Sequence, residues 1–497
     1  MKKLFSLLLA ATMTFSLTLP ALADHYTYSE PEKSTMMPRS TPETHGMSSQ
    51  YILDLLDAFD YADAEVHNIL MAIDGEVVFE GHYAPYTALD PHIMFSGTKI
   101  FTNAAVGVAV TEGYLHLDDY VYDVLKDYVT QDVSELQSKV QLKHLLTMTS
   151  GVDRFMSGSE LRPLTTSWIE HILTEPIVHE PGTYYLYSSG NTMLSSAMVT
   201  VATGKTCLEL LNTTGFCEEL GIKITAEDLA KVGQLYMNGG VWNGKQILSK
   251  EWCDLAIGYE KTVENQGDYA YHWTAYEDGL YYTATGSYGQ TLAICPKLNM
   301  VIAIQAGTKQ NIGELLYQNI FKPYGDALAA GTVPEPDDAL SAALAKRAEN
   351  LNLMFTTDFT ASPIGELVDD VTFTAAENQY GITTLSLDVH DDYIDYTMTD
   401  ARGTHTIRNG IWQWLKGETS MTSNYTHHQY QYPTEPVYAY ADWKDANTLQ
   451  LTWRFPELAF VDTLTLTFSD DGSQIGMVRS VNVNSGPLVC DEVVFTK

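Results

Sequence analysis

The segment Phe95-Ser96-Gly97-Thr98-Lys99-Ile100-Phe101 decides the fold of this chain of 497 residues. It opens a run over residues 96–112 that is apolar or small on nearly every side and stops at Gly113. Such a run predicts a buried helix. Ser96 then lies in the first turn, and Lys99 lies one turn further along on the same face.

This placement of Ser96 and Lys99 suits nucleophilic catalysis. A lysine that loses hydration in an apolar site gives up its proton more readily, and the neutral amine can then accept the serine proton. The free N–H groups and the dipole of the helix start favour a substrate oxyanion at the same place. The alternative is a serine cap followed by a surface lysine, and the buried setting of the helix favours the catalytic interpretation.

Several further segments, in the same order along the chain, strengthen this interpretation. Together with the Ser-x-x-Lys segment they resemble the serine β-lactamase-like hydrolases, the family related to class C β-lactamases, DD-peptidases and carboxylesterases. The resemblance extends from about residue 46 to residue 307 and is carried by residues 75–81, 145–151, 181–191 and 228–240. It implies an α/β (α+β) fold in which an antiparallel sheet is flanked by helices, with an added helical lobe. It implies no metal and no organic cofactor.

The resemblance also implies roles for individual residues. In Tyr187-Ser188-Ser189, Tyr187 is implied as the phenol that shares proton transfer with Lys99, because a phenolate is stabilised beside an ammonium. Ser189 stands where the family usually has Asn, and its hydroxyl can still donate a hydrogen bond to a substrate amide or to Lys99.

The third family element falls best on Ala284-Thr285-Gly286, which is expected on an edge strand. Thr285 and Gly286 are thereby implied in substrate binding, and Ser287 is implied as the donor of a second oxyanion N–H beside that of Ser96. Ala284 replaces the Lys or His that would bind a carboxylate. The alternative is an ordinary strand with a glycine kink.

The domain organisation follows from composition and periodicity. Residues 1–23 are predicted to be a signal peptide and residues 24–330 the serine hydrolase domain. Residues 331–350 are predicted as a Pro- and acid-rich linker with a bridging helix. Period-two alternation between polar and apolar residues then predicts an all-β C-terminal domain, a barrel or sandwich over residues 351–497.

Charge and cysteine content narrow the class of protein. The formal net charge of −35 repels phosphate backbones and anionic lipid, so neither nucleic-acid binding nor membrane docking is expected. The five cysteines lack CxxC spacing, which gives no support for a zinc site. Cys207 and Cys217 are open to two interpretations, a disulfide or small buried side chains.

The N-terminus indicates export. Lys2 and Lys3 precede an apolar run that ends in Ala21-Leu22-Ala23, which predicts cleavage near Ala23 and a secreted protein, extracellular or periplasmic. No later apolar stretch is long enough to span a bilayer.

The sequence therefore predicts a secreted serine hydrolase that acts on a small-molecule ester, amide or peptide, most simply as an esterase. One alternative is a cell-wall D-amino-acid peptidase or β-lactamase. Another is a binding protein in which Ser189 and Ala284 mark eroded chemistry. The C-terminal domain contains no paired nucleophile and base, so we expect it to serve packing or interaction.

Overall fold

The computed structural model describes residues 36–161, 163–214, 224–258, 263, 265, 267–277, 279–332, 335–353, 361–421, 434–484 and 486–497. The predicted signal peptide and Cys217 lie outside these residues. Within the described ranges, no helix is long and apolar enough to cross a membrane. Cys207 is a half-buried free thiol whose Sγ lies 3.3 Å from Ser196 Oγ.

The N-terminal domain, up to residue 330, is built on one sheet. Its strands are β1 (Val66–Ile73), β2 (Glu76–His82), β3 (Val241–Trp242), β4 (Lys245–Gln246), β5 (Thr274–Tyr276), β6 (Tyr281–Gly286), β7 (Gln290–Cys295) and β8 (Met300–Ala306). Apart from β3 and β4, which pair with each other, these strands form a six-stranded antiparallel sheet in the order β2-β1-β8-β7-β6-β5.

The turn between β1 and β2 lies at Asp74-Gly75, and an Asp-Gly pair between two apolar runs is a sequence signal for a hairpin. Its φ angles are +53° at Asp74 and +80° at Gly75. Two successive positive φ values are what a tight type I′ hairpin requires, and Asp-Gly tolerates them.

Helices cover both faces of this sheet. Every residue of β1 is buried. Leu70 contributes to the core that contains the Lys99–Thr111 helix, and Ile69 contributes to the opposite core, which contains the Ser49–Tyr61 helix. The predicted antiparallel sheet with flanking helices is therefore confirmed.

The α-helices of the N-terminal domain include the short ones that form its helical lobe. They span Ser49–Tyr61, Lys99–Thr111, Val121–Leu125, Glu135–Ser138, Leu142–Leu146, Gly158–Leu161, Trp168–Leu173, Ser189–Thr203, Cys207–Thr214, Ala226–Met237, Lys250–Ala256, Ile312–Leu316 and Lys322–Ala329. Five 3₁₀ turns and one π turn complete this part of the described chain: Pro42–His45, Phe95–Thr98, Lys126–Tyr128, Ser287–Gly289, Pro296–Leu298 and, as the π turn, Tyr317–Phe321.

The bridging helix spans Asp338–Glu349 and lies against the N-terminal domain. Leu344 packs into the core that contains the Ser49–Tyr61 helix. On the surface, Arg347 forms an ion pair with Asp60. The helix predicted from the sequence is thus present, and it is tied to the first domain by both apolar and charged contacts.

Over residues 361–421, 434–484 and 486–497, the C-terminal domain contains one short helix, Pro363–Val368, and ten strands. The strands are β9 (Val371–Ala375), β10 (Thr384–Val389), β11 (Tyr393–Asp400), β12 (Gly403–Ile411), β13 (Leu415–Thr419), β14 (Glu435–Asp445), β15 (Thr448–Arg454), β16 (Val461–Phe468), β17 (Gln474–Val481) and β18 (Val493–Thr496). Their order is β10-β11-β12-β14-β15-β16-β17-β18-β9, with β13 paired to β14.

This sheet closes on itself as a barrel. Asp369, just before β9, bridges to Leu387 of β10, so the two ends of the sheet meet. Alternate residues of β11 are buried, and Ile394 and Tyr396 belong to the barrel core. The predicted all-β domain is confirmed, because the period-two pattern places every second side chain inside.

The two domains meet through buried polar contacts. Arg454 of β15 donates from Nη1 to Glu65 Oε1 at 2.7 Å, and His67 contacts the same carboxylate oxygen at 3.0 Å. Burial by itself raises the pKa of Glu65, but the charges of Arg454 and His67 and their hydrogen bonds lower it to about 2. Glu65 is therefore an anion held between the domains.

A second interdomain contact centres on Asp90. Tyr438 donates its hydroxyl to Asp90 Oδ2 at 3.0 Å, and Lys416 Nζ lies 3.2 Å from Oδ1. Asp90 is buried and lies shortly before the Phe95–Thr98 turn. The C-terminal domain is thus fixed beside the segment that leads into the predicted nucleophile.

Candidate functional site

Ser96 and Lys99 lie in contact, as predicted. Ser96 is in the 3₁₀ turn Phe95–Thr98, and Lys99 is the first residue of the Lys99–Thr111 helix. Lys99 Nζ donates to Ser96 Oγ at 3.2 Å. The first turn of the predicted helix is 3₁₀ rather than α, and the helix that follows is buried along most of its length.

Tyr187 flanks the same amine. Lys99 Nζ lies 4.9 Å from the centroid of the Tyr187 ring. Tyr187 packs edge-on to Tyr269, with ring centroids 5.9 Å apart, and stacks on Phe155 at 6.1 Å. The structure therefore brings together the three side chains that the sequence assigns to proton transfer and nucleophilic attack.

These side chains open into one cavity of about 370 Å³. Its lining is formed by hydroxyl and aromatic side chains with one lysine: Ser96, Lys99, Tyr185, Tyr187, Tyr269, His272, Thr274, Thr283, Thr285, Gly286 and Ser287. Predicted Thr285, Gly286 and Ser287 are all part of this lining. Among these described lining residues, Lys99 is the only one with a charged side chain.

The approach of β6 to the nucleophile depends on Gly286. A Cβ on Gly286 would lie 2.0 Å from the carbonyl oxygen of Met94, so any side chain there would collide with backbone. Ser287 is the first residue of the 3₁₀ turn Ser287–Gly289. Ser96 likewise lies in a 3₁₀ turn, Phe95–Thr98. The N–H groups at such starts lack partners within the helix, which makes both serine amides suitable donors to an oxyanion.

The prediction that this element lies on an edge strand needs correction. β5 forms the edge, and its three residues pair with Tyr281, Tyr282 and Thr283. Strand β6 continues past β5, so on that side its last residues border the cavity, while on the other side they pair with β7. Ala284 is buried in the core on the helix side of the sheet and is not among the residues that line the cavity.

Ser189 is the predicted site residue that the structure leaves outside the cavity lining. It starts the Ser189–Thr203 helix, and its N–H donates to the carbonyl oxygen of Met156 at 3.0 Å. Its place, two residues after Tyr187, is the start of a helix whose side chains turn into the neighbouring core. A hydroxyl is also shorter than the amide that the resemblance would place there.

The sequence analysis missed His272. Its Nδ1 lies 3.0 Å from the carbonyl oxygen of Lys99, so Nδ1 carries the proton and donates. Burial first, and then the nearby charge of Lys99, lower the pKa of His272 to about 3. The imidazole is therefore neutral at ordinary pH, and Nε2, 3.3 Å from Thr192 Oγ1, is an acceptor at the cavity.

Two tyrosines and a threonine add neutral polar groups to the cavity. Burial raises the pKa of Tyr185 to about 12 and raises that of Tyr269 well above its ordinary value, so both remain phenols. Thr283 Oγ1 is buried and has no hydrogen-bond partner in the described part of the chain. No motif in the sequence marks these residues.

Asn103 fixes the His272 segment against the Lys99–Thr111 helix. Its Nδ2 donates to the carbonyl oxygen of Tyr271 at 2.8 Å, and its Oδ1 accepts from Tyr236 Oη at 2.6 Å and from Trp252 Nε1 at 3.1 Å. Because Asn103 is fully buried, each of these bonds is costly to break. The residue holds one wall of the cavity to the helix that begins at Lys99.

One group of described residues has spacing compatible with a metal ion. Glu160, His171 and Glu175 offer ligand atoms that all lie within 4.8 Å of one another. Arg154 already donates to both glutamates, at 2.8 Å and 2.7 Å. The group is therefore explained as an ion-pair network at the surface of the helical lobe.

Comparison with known proteins finds a family match within the N-terminal domain. Residues 67–216 match the Beta-lactamase family model, which confirms the resemblance for the part that contains Ser96, Lys99 and Tyr187. A 6-aminohexanoate-dimer hydrolase of Paenarthrobacter ureafaciens is 24% identical over 274 residues, which cover 46% of this chain and 69% of the relative.

Two solved structures extend the comparison. An octameric penicillin-binding protein homologue from Pyrococcus abyssi is 15% identical, with a TM-score of 0.43, and the match covers 90% of this chain and 99% of that one. A family VIII carboxylesterase is 14% identical, with a TM-score of 0.45, and the match covers 57% of this chain and 98% of that one.

Proposed function

Because residues 67–216 match the Beta-lactamase family model, we propose that this protein is a serine hydrolase that forms an acyl-enzyme. The observation that carries the proposal is the 3.2 Å contact between Lys99 Nζ and Ser96 Oγ inside the cavity. A hydroxyl within hydrogen-bond reach of an amine is the arrangement that a serine nucleophile with a lysine base requires.

Acylation begins when Ser96 Oγ attacks the substrate carbonyl. In the reactive form Lys99 is a neutral amine, whose Nζ takes this proton, and Tyr187, whose ring flanks that amine, shares the transfer. The backbone N–H groups of Ser96 and Ser287 stabilise the tetrahedral oxyanion. The intermediate then collapses, the ester or amide bond breaks, the leaving group takes the proton, and the acyl group stays on Ser96.

Deacylation repeats these steps with water as the nucleophile. The same basic pair accepts a proton from water as it attacks the Ser96 ester. The second tetrahedral intermediate uses the same two N–H groups, and its collapse returns the proton to Ser96 Oγ. The acid product leaves, and no metal or cofactor is needed at any step.

We propose a small neutral ester or amide as the substrate. Lys99, the one charged group of the described lining, is engaged with Ser96, which leaves no further cation for a substrate carboxylate. Uncharged polar groups of the lining, such as the hydroxyls of Tyr185 and Thr285, can instead bind uncharged polar atoms of a substrate. The related hydrolase from Paenarthrobacter ureafaciens acts on 6-aminohexanoate dimers, which supports an amide as a candidate.

We expect the wild-type protein to cleave neutral short-chain or aromatic esters with higher kcat/KM than nitrocefin or D-alanyl-D-alanine peptides. A charge-assisted contact to a carboxylate contributes about 1.5 to 3 kcal/mol, or roughly one to two decades in rate when it persists in the transition state. This cavity does not supply that contact. The comparison requires only steady-state kinetics on the two classes of substrate.

Two variants at one position test the cause of this preference. Thr285 is exposed and lines the cavity, so Thr285→Lys adds an ammonium without burying it, whereas Thr285→Met adds similar length without charge. Relative to Thr285→Met, Thr285→Lys should favour the carboxylate substrates by about 3- to 10-fold. If the wild type already prefers nitrocefin or the D-alanyl peptide, the β-lactamase or peptidase alternative replaces the esterase proposal.

We also propose that the protein is exported. The support is the sequence of residues 1–23, with two lysines, an apolar run and Ala21-Leu22-Ala23 before the expected cleavage point. Expression of the full-length chain in a bacterial host should yield mature protein outside the cytoplasm that begins at Asp24. The proposal is refuted if no protein is exported and N-terminal sequencing shows that the cytoplasmic protein still starts at Met1.

A further inference from the structure

The C-terminal domain touches the segment that immediately precedes Ser96. The N–H of Ile93 donates to the carbonyl oxygen of Glu457 at 2.9 Å. Ile93 and Phe95 both pack against the core of the barrel. The backbone that presents the nucleophile is therefore bounded on one side by the second domain.

Three aromatic rings meet at this boundary. Phe460 of the C-terminal domain lies 6.3 Å from the ring of Phe95 and 5.7 Å from the ring of Tyr288, and the rings of Phe95 and Tyr288 are 5.4 Å apart. All three pairs are edge-to-face, which is a favourable geometry for aromatic rings. We call Phe95, Tyr288 and Phe460 the aromatic clamp.

Phe95 and Tyr288 adjoin Ser96 and Ser287, the two serines whose N–H groups are assigned to the oxyanion. Phe95 directly precedes Ser96, and Tyr288 directly follows Ser287. Phe95 and Tyr288 both adopt left-handed backbone conformations, with φ of +45° at Phe95 and +65° at Tyr288. Such conformations cost free energy in residues other than glycine and persist only where the surroundings hold them.

Phe460 is itself held firmly. It is 4% exposed and belongs to the barrel core. The preceding residue, Ala459, accepts a hydrogen bond from Asn482 Nδ2 at 3.0 Å, and that same Nδ2 lies 3.0 Å from the carbonyl oxygen of Gly307. A Cβ on Gly307 would lie 2.5 Å from Ala459 O, so this glycine allows the close approach of the two domains.

We propose that Phe460 is a positioning residue for the oxyanion site, and that the C-terminal domain through it holds the backbone of Ser96 and Ser287 in the reactive geometry. This inference rests on the proposed function. It assigns the second domain a part in catalysis although that domain supplies no reacting group. Phe460 acts by packing on Phe95 and Tyr288, and it does not touch the substrate.

The test compares full-length Phe460→Ala with wild type on a neutral ester. Displaced oxyanion donors weaken transition-state binding more than ground-state binding, so kcat should fall about 10- to 100-fold while KM changes less than about 3-fold. The rate of covalent labelling of Ser96 by a fluorophosphonate, which forms a tetrahedral adduct, should fall in parallel. Phe460→Leu, which keeps apolar volume without the ring, should recover part of the loss.

Phe373→Ala is the matched control. Phe373 is another fully buried phenylalanine of the same barrel, on β9, outside the clamp. This variant should lose stability but keep kcat within about 2-fold at temperatures where it is folded. If Phe460→Ala and Phe460→Leu both keep wild-type kcat, or if Phe373→Ala loses kcat equally, the clamp has no special role and the proposal is overturned.

Two outcomes separate this inference from the proposed function. Should Phe460→Ala fail to fold by circular dichroism, Phe460→Leu alone decides, with the same kcat and labelling criteria. A Ser96→Ala variant that loses activity while Phe460→Leu matches wild type would overturn the clamp and leave the serine mechanism intact. An active Ser96→Ala variant would instead overturn the mechanism itself.

Discussion

Replacing Ser96 by alanine is expected to lower ester hydrolysis by about 10⁴-fold or more and to abolish fluorophosphonate labelling. The change removes the atom that becomes acylated, and Lys99 then has no hydroxyl to deprotonate. Binding and the oxyanion donors remain, so a small residual rate above water is compatible with the mechanism. The measurement combines kcat/KM on a neutral ester with mass-spectrometric mapping of the labelled residue in the wild type.

Ser195→Ala provides a chemically identical change as the control. Ser195 is buried on the Ser189–Thr203 helix, and its hydroxyl donates to Asn191 O rather than lining the cavity. This variant should keep kcat/KM within about 2-fold while the protein stays folded. Undiminished turnover in Ser96→Ala would refute the mechanism, and a folded wild type that neither labels nor hydrolyses esters would support the binding-protein alternative.

The parts of the fold that the sequence predicts are those with local causes. The Asp74-Gly75 turn needs two positive φ values, which those two residue types tolerate best. Alternation of polar and apolar residues predicts strands such as β11, because the period of a strand fixes which side chains enter the barrel. The contact of Ser96 with Lys99 is likewise local, since residues three positions apart lie on the same face of a helix.

The parts that the sequence does not predict depend on packing between distant segments. His272 enters the cavity because Asn103 and the Lys99 carbonyl hold its segment, and nothing in its own neighbourhood marks that contact. The orientation of Ala284 depends on which face of β6 meets the helices. Phe460 meets Phe95 and Tyr288 only because the barrel docks on the first domain.

The prediction that Ser189 is a site residue failed for a related reason, because spacing along the chain does not decide where a side chain lies. A motif places a residue by its spacing from Tyr187, but the start of a helix decides where the side chain lies. Here the N–H of Ser189 binds Met156 O, and the cavity is completed by Tyr185 and Tyr269. The cavity therefore lacks the Asn side chain of the family motif and has the rings of Tyr185 and Tyr269 in its wall. This difference is a reason to expect an altered substrate preference rather than a loss of the nucleophile.

Lys99 is expected to act as a base, and two substitutions separate that role from its charge. Lys99→Met removes both the amine and the charge, and loss of a general base should lower kcat by about 10²- to 10⁴-fold. Lys99→Arg keeps a cation next to Ser96 but cannot be deprotonated in a protein. We therefore expect the arginine variant to be nearly as impaired as the methionine variant in steady-state hydrolysis of a neutral ester.

Lys231→Met is the matched control for removing a buried lysine. Lys231 is 2% exposed and pairs with Asp228 at 2.9 Å, away from the cavity lining. Removing the ammonium from this buried pair should destabilise the protein by about 3 to 5 kcal/mol, yet the folded fraction should keep its kcat. Activity of Lys99→Arg within tenfold of wild type would show that Lys99 contributes charge, and the proton from Ser96 would then pass to Tyr187, whose ring lies 4.9 Å from the amine.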